Sequence, residues 1–112
     1  MNNDKQYLSH LRDCVVRVEQ YIVSGKKEFM TSTLRQDAVL RNLQLMAEST
    51  LRLSEELRFQ HIEVPWREIA NWREILGQNY LVINLDEVWR FIELRFPQLK
   101  QQVNKVLQQL PS

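Results

Sequence analysis

Arg73 is the residue whose placement most demands a chemical explanation. Within Pro65-Trp66-Arg67-Glu68-Ile69-Ala70-Asn71-Trp72-Arg73-Glu74-Ile75-Leu76-Gly77-Gln78-Asn79-Tyr80, the residues Trp66, Ile69, Arg73 and Leu76 recur at steps of three, four and three, the spacing of one helical face. Pro65 suits the first position of that helix. The spacing therefore predicts Arg73 in an apolar seam. A guanidinium keeps its charge at every physiological pH, so burying one demands a carboxylate, a phosphate or a wet interface. One reading is an ion pair with Glu48, Glu55 or another acid of the fold; the other is a site for a phosphate. Tyr80 falls seven residues beyond Arg73, and Gly77 is expected to open or bend the backbone between them. Gln78 and Asn79 lie at that turn, and both amides can donate and accept hydrogen bonds while neither titrates. A satisfied helix-end network with Tyr80 packed in the core is the plain structural account of the same residues.

Elsewhere the sequence offers little chemistry. It contains no glycine-rich phosphate loop, no cluster of His and Cys at metal-ligand spacing, and no Ser or Cys nucleophile with a His at a recognised interval. Neither a metal nor a cofactor is expected. His10 in the first helix and His61 before Pro65 read as exposed or capping side chains, and Trp66, Trp72 and Trp89 read as core. Arg35, Arg41, Arg52 and Arg58, interleaved with Glu48, Glu55 and Glu56, have the pattern of a solvated face. Fifteen Lys and Arg against fourteen Asp and Glu leave a formal charge of +1, which argues against strong nonspecific attraction to nucleic acid. The lone Cys14 can form neither an internal disulfide nor a four-ligand zinc site.

These residues must be positioned by helices. With only two Gly and three Pro in 112 residues, few breakers interrupt the chain. Leu8, Leu11, Val15, Val18 and Ile22 form the stripe of a first helix, with Asp4 as its expected cap and Gly25 as its end. Lys26 to Ser32 reads as a loop pinned by Phe29 and Met30. In a second helix Val39, Leu43, Met46, Thr50, Leu53 and Leu57 make one seam, and Leu40, Ala47 and Leu51 make a neighbouring strip. That apolar surface suits a central helix of a bundle, or one partly facing another subunit. Asn84 followed by Glu87 reads as the N-cap of a last helix carrying Val88, Ile92, Phe96, Leu99, Val103, Val106 and Leu110, which Pro97 is expected to kink or restart. The prediction is an all-α bundle of four or five helices, one domain over residues 1–112. A chain of this size often gains stability by pairing with a second copy. The longest apolar run, Tyr80 to Ile83, is far too short to span a bilayer, and the start lacks a signal-peptide pattern, so a cytoplasmic location is expected.

In their order and spacing, several segments resemble the HepT-like toxins of the HEPN superfamily, partners of minimal nucleotidyltransferase antitoxins. They are Leu11-Arg12-Asp13, the Phe29 loop, Asp37-Ala38-Val39-Leu40-Arg41-Asn42-Leu43 with Met46-Ala47-Glu48, Pro65-Trp66 with Ile69, and Val88-Trp89 with Phe96-Pro97-Gln98-Leu99. Arg73 to Tyr80 falls where the family carries Arg, four residues, His, one residue and Tyr. The resemblance implies metal-independent RNA cleavage in the cleft of a homodimer. It implies Arg73 as the phosphate-binding cation, and Tyr80 as the residue that the antitoxin modifies with AMP. A bulky anion on Tyr80 would compete with RNA phosphate for Arg73. Asn79 and Arg41 fall in the family's patterns as candidate cleft-lining residues.

The departure is at Gln78, which stands at the motif His position and cannot act as general acid or base. Acid–base help is worth about 10²- to 10⁴-fold, so Gln78 predicts a slow ribonuclease. The alternative is a catalytically degenerate helical dimer that binds RNA, nucleotide or a partner protein. A purely structural bundle is a third reading, in which Arg73 matters for stability alone.

Overall fold

Leu8, Leu11, Val15 and Val18 are all completely buried, and they form one face of α1 (Asp4–Tyr21). The computed structural model describes residues 3–78 and 82–111, and every regular element among them is helical. After α1 come α2 (Lys26–Thr31), α3 (Thr33–Arg52), α4 (Glu55–Gln60), α5 (Trp66–Gln78) and α6 (Leu85–Gln109). The all-α prediction holds, with six helices in place of four or five; α2 and α4 are the short ones. α3 packs against both α1 and α5, α1 against α6, and α2 against α3, so α3 is the central rod. Among the described residues no helix is long and apolar enough to cross a membrane.

The differences from the sequence prediction have local causes. Gly25 adopts φ 94, a conformation nearly closed to other residues, and its carbonyl accepts from Phe29 N at 3.2 Å. That turn lets the predicted loop coil into α2, which drives Phe29 fully into the core. Ser32 then caps α3, its hydroxyl accepting from Arg35 N at 3.2 Å. The seam drawn from Val39 to Leu57 is continuous in space but not in helix. Leu53 and Ser54 are extended (ψ 148 and 149), and Ser54 restarts the chain as α4 by accepting from Leu57 N. Ser54 followed by Glu55 and Glu56 is itself a helix-start signal, a hydroxyl cap with acids in the first turn.

Asp4 is not the cap of α1; Asn3 holds that position without a side-chain bond. The Asp4 carboxylate is instead buried and reaches fifty residues along the chain, accepting from Ser54 N at 2.8 Å and from Ser54 Oγ at 2.6 Å. This ties the start of α1 to the break between α3 and α4. Pro97 neither ends nor restarts α6, which is assigned as one helix through it. Pro97 faces outward while Phe96 and Leu99 are anchored in the core, so the lost amide bond is on the solvent side. Asn84 does cap α6, its Oδ1 accepting from Asp86 N at 2.9 Å and Glu87 N at 3.2 Å.

Two contacts fix α5 against α6. Trp72 meets Phe91 edge to face at 5.3 Å, and Arg95 donates through Nε to Glu68 at 3.0 Å, with a second bond from the same guanidinium to the other carboxylate oxygen. Phe91 continues the stack to Phe96, and Phe29 meets Trp89 at 5.5 Å. Ser54→Ala removes the α4 cap and one donor to the buried Asp4 carboxylate, so it is expected to destabilise the chain by about 1–3 kcal/mol. Chemical denaturation of the two proteins, with equal dependence on denaturant, checks this.

Candidate functional site

The buried seam of α5 is Trp66, Ile69, Trp72 and Leu76, all below 9% exposure. Arg73 is not part of it, and its exposed side chain corrects the expectation of a guanidinium held in an apolar seam. Steps of three, three and four fit a helical face as well as three, four and three. Phe91 settles the choice by taking Trp72 into the core. The predicted partners Glu48 and Glu55 form no ion pair with Arg73. Among the described residues its guanidinium has no hydrogen-bond or ion-pair partner at all.

Arg73 lies on the wall of an open groove of about 650 Å³, together with Arg67, Asn71, Glu74 and Gln78 and with Leu51 at the end of α3. Arg67, Asn71, Glu74 and Gln78 follow at steps of four, three and four, so they form the polar stripe of α5. Ala70 and Gly77, also lining the groove, leave it room; a Cβ added at Gly77 would meet nothing within 4 Å. Gly77 does not open the backbone ahead of Gln78. α5 runs through it to Gln78, and Gly25 is the glycine with positive φ among the described residues. The structure thus brings Arg73 and Gln78 to one surface. Asn79 and Tyr80 lie outside the described residues. Arg41 is exposed on α3 and is not among the residues lining this groove.

The lining has a definite chemical character. Two guanidinium groups can hold an anion, and Arg73 and Arg67 each present five N–H donors. Asn71 and Gln78 can donate to or accept from a ligand without changing charge. Glu74 is the one carboxylate among the described lining residues. Arg67, Asn71 and Glu74 were not singled out in the sequence, although the polar stripe opposite the apolar seam is readable there.

The remaining candidates are structural. Asn42 is buried, accepts from Arg17 Nε at 3.0 Å and donates to the Ala38 carbonyl at 2.8 Å, locking α1 to α3. Burial pushes the Cys14 thiol up, against the opposing pull of Arg17, so it stays protonated and unreactive at neutral pH. His61 is half-buried with Nδ1 3.5 Å from Glu63, while its carbonyl accepts from Trp66 Nε1 at 2.9 Å. His10 stands at the surface against the Tyr7 ring. Arg73→Ala is expected to change stability by no more than about 0.5 kcal/mol, whereas Trp72→Ala costs about 3–5 kcal/mol. Thermal unfolding of both variants separates a residue kept for its charge from one kept for packing.

Residues 11–106 match the family model described as Ribonuclease HepT-like. A protein of Caldanaerobacter subterraneus subsp. tengcongensis named "Putative RNase" is 31% identical over 109 residues, covering 96% of this chain and 97% of its own. The "Probable ribonuclease HepT" of Thermococcus cleftensis is 25% identical over 103 residues, covering 91% of this chain and 94% of its own. A Methanocaldococcus jannaschii protein named "Gamma-glutamylcyclotransferase and putative RNase" is 31% identical over 107 residues. That match takes in 95% of this chain but 48% of the relative, so this chain spans about half of that protein's length. No solved structure gives a significant match.

Proposed function

Since this chain belongs to the HepT-like ribonuclease family, we propose that it is an RNA endonuclease, the toxin of a toxin–antitoxin pair. In this reading it works as a homodimer, cuts RNA without a metal ion, and is silenced when a nucleotidyltransferase antitoxin transfers AMP to Tyr80. The observation that carries the reading is Arg73, an exposed guanidinium without a partner among the described residues, on the wall of a groove it shares with Gln78.

The chemistry is transesterification followed by release. A ribose 2′-oxygen attacks the neighbouring phosphorus, its proton leaves, the bond to the 5′-oxygen breaks, and a proton arrives on that leaving oxygen. Negative charge builds on the phosphoryl oxygens during attack, and a fixed guanidinium beside them stabilises that state more than the ground state. Arg73 supplies the fixed charge. Gln78 can orient a phosphate or hydroxyl oxygen but can neither take nor give a proton, so the unaltered chain lacks the acid–base contribution of about 10²- to 10⁴-fold. AMP on Tyr80 would bring a phosphodiester anion seven residues along the chain from Arg73, where it competes with substrate for the same cation. The second reading, a degenerate dimer that binds RNA, nucleotide or a partner protein without cutting, is favoured by Gln78 itself.

The test is cleavage of a labelled RNA in the presence of a chelator by three proteins: the unaltered chain, Gln78→His, and Gln78→His with Arg73→Ala. Gln78→His is expected to cut about 10²- to 10⁴-fold faster than the unaltered chain, and the added Arg73→Ala to abolish that gain. Cutting by the unaltered chain at the rate of Gln78→His would move the proton through another group, for which Glu74 is the described candidate. If none cuts but all except the Arg73 variant bind RNA, the second reading stands. Neither cutting nor binding overturns the assignment. Mass spectrometry after incubation with the cognate transferase and ATP should show adenylate on this chain and none on Tyr80→Phe.

A further inference from the structure

The Arg73 groove does not end at Arg67. Arg67 and Ala70 also line a second open groove, of about 640 Å³, which runs between α5 and α4 past Trp66, Phe59 and Arg58. Three features of this second groove point to one kind of occupant. First, the guanidinium groups of Arg58 and Arg67, like that of Arg73, have no ion pair or hydrogen bond among the described residues, while two carboxylates, Glu55 and Glu74, line the two grooves together. Second, Arg58 Nε is buried without a hydrogen-bond partner, so the fold itself does not neutralise this guanidinium. Third, Phe59 is 78% exposed, an aromatic ring left in solvent beside those cations. The walls are largely apolar, with Ile62, Val64 and Trp66.

Cations along a groove with an exposed ring beside them are the equipment of single-strand binding, where charge tracks the backbone and the ring stacks a base. We propose that the second groove seats the RNA flanking the scission site, with Arg58 and Arg67 holding backbone phosphates and Phe59 stacking a base. This rests on the reading of the Arg73 groove as the cleavage site, and it extends the substrate from a dinucleotide step to a longer single strand. It also accounts for how a chain with a net charge of +1 could hold a polyanion: the positive charge is local, not global.

The experiment is fluorescence anisotropy of end-labelled single-stranded RNAs of about 4 and about 12 nucleotides, over a series of salt concentrations. The unaltered chain is expected to bind the longer strand at least about tenfold more tightly. Arg58→Ala and Phe59→Ala should each weaken binding of the longer strand about tenfold and leave the shorter strand unchanged. Arg58→Ala should also lower the salt dependence for the longer strand by about 0.7, whereas Arg58→Lys keeps it. Arg73→Ala should weaken both lengths. If the shorter strand binds through Arg73 but the Arg58 and Phe59 variants hold the longer strand as well as the unaltered chain, the flanking site is overturned and the cleavage site survives. If neither length binds, both fail. Sedimentation of the same variants covers the remaining occupant: loss of self-association in Phe59→Ala at unchanged RNA affinity assigns the groove to a second copy and overturns the proposal.

Discussion

Burial of two tryptophans on α5 sets the orientation of the candidate site. Trp66 and Trp72, with Ile69 and Leu76, must face the core, and Phe91 on α6 receives Trp72 edge to face. Each residue turns a helix by about 100°, so the choice of seam fixes every other direction on α5. Bringing Arg73 into the core in place of Trp72 would expose an indole and strip water from an unpaired guanidinium, and both changes cost energy. The seam that stabilises the helix is therefore also what holds Arg67, Asn71, Glu74 and Gln78 outward.

The opposite wall depends on a break rather than on a helix. Had α3 continued straight past Arg52, the segment around Arg58 and Phe59 would have run on along the rod. The extended residues Leu53 and Ser54 redirect it, and the Asp4 carboxylate holds the redirected turn by accepting both the amide and the hydroxyl of Ser54. One buried carboxylate near the start of the chain thus shapes a groove between α4 and α5. Trp66 adds to this by donating its indole N–H to the His61 carbonyl, which fixes the return from α4 into α5.

Charge is distributed with a similar division of labour. The exposed pair Arg95–Glu68 joins α6 to α5 on one side, and its carboxylate holds Arg95 firmly in the charged form. On the other side Arg58, Arg67 and Arg73 have no such partners among the described residues. Cations neutralised within the fold brace it, while those left unpaired along a concave surface remain available to an anion. Gln78 can hydrogen-bond at the groove wall but cannot exchange a proton, so in the proposed reading it separates cutting RNA from only binding it.

The sequence by itself determined the helical class, the stripes of α1 and α6 and the Asn84 cap, because periodicity and capping are local properties written in neighbouring residues; the family rested on a resemblance of ordered segments, which the match over residues 11–106 bears out. The polar stripe of α5, Arg67, Asn71, Glu74 and Gln78, is equally readable from its spacing. Tertiary structure decided that Trp72 and not Arg73 is buried, since both spacings fit one helical face and only a residue on another helix, Phe91, separates them. It decided that Asp4 braces Ser54 instead of capping its own helix, a contact across fifty residues that no local pattern encodes. It also decided that α4 turns Arg58 and Phe59 beside Arg67, because a groove is made by two elements meeting and belongs to neither sequence segment alone.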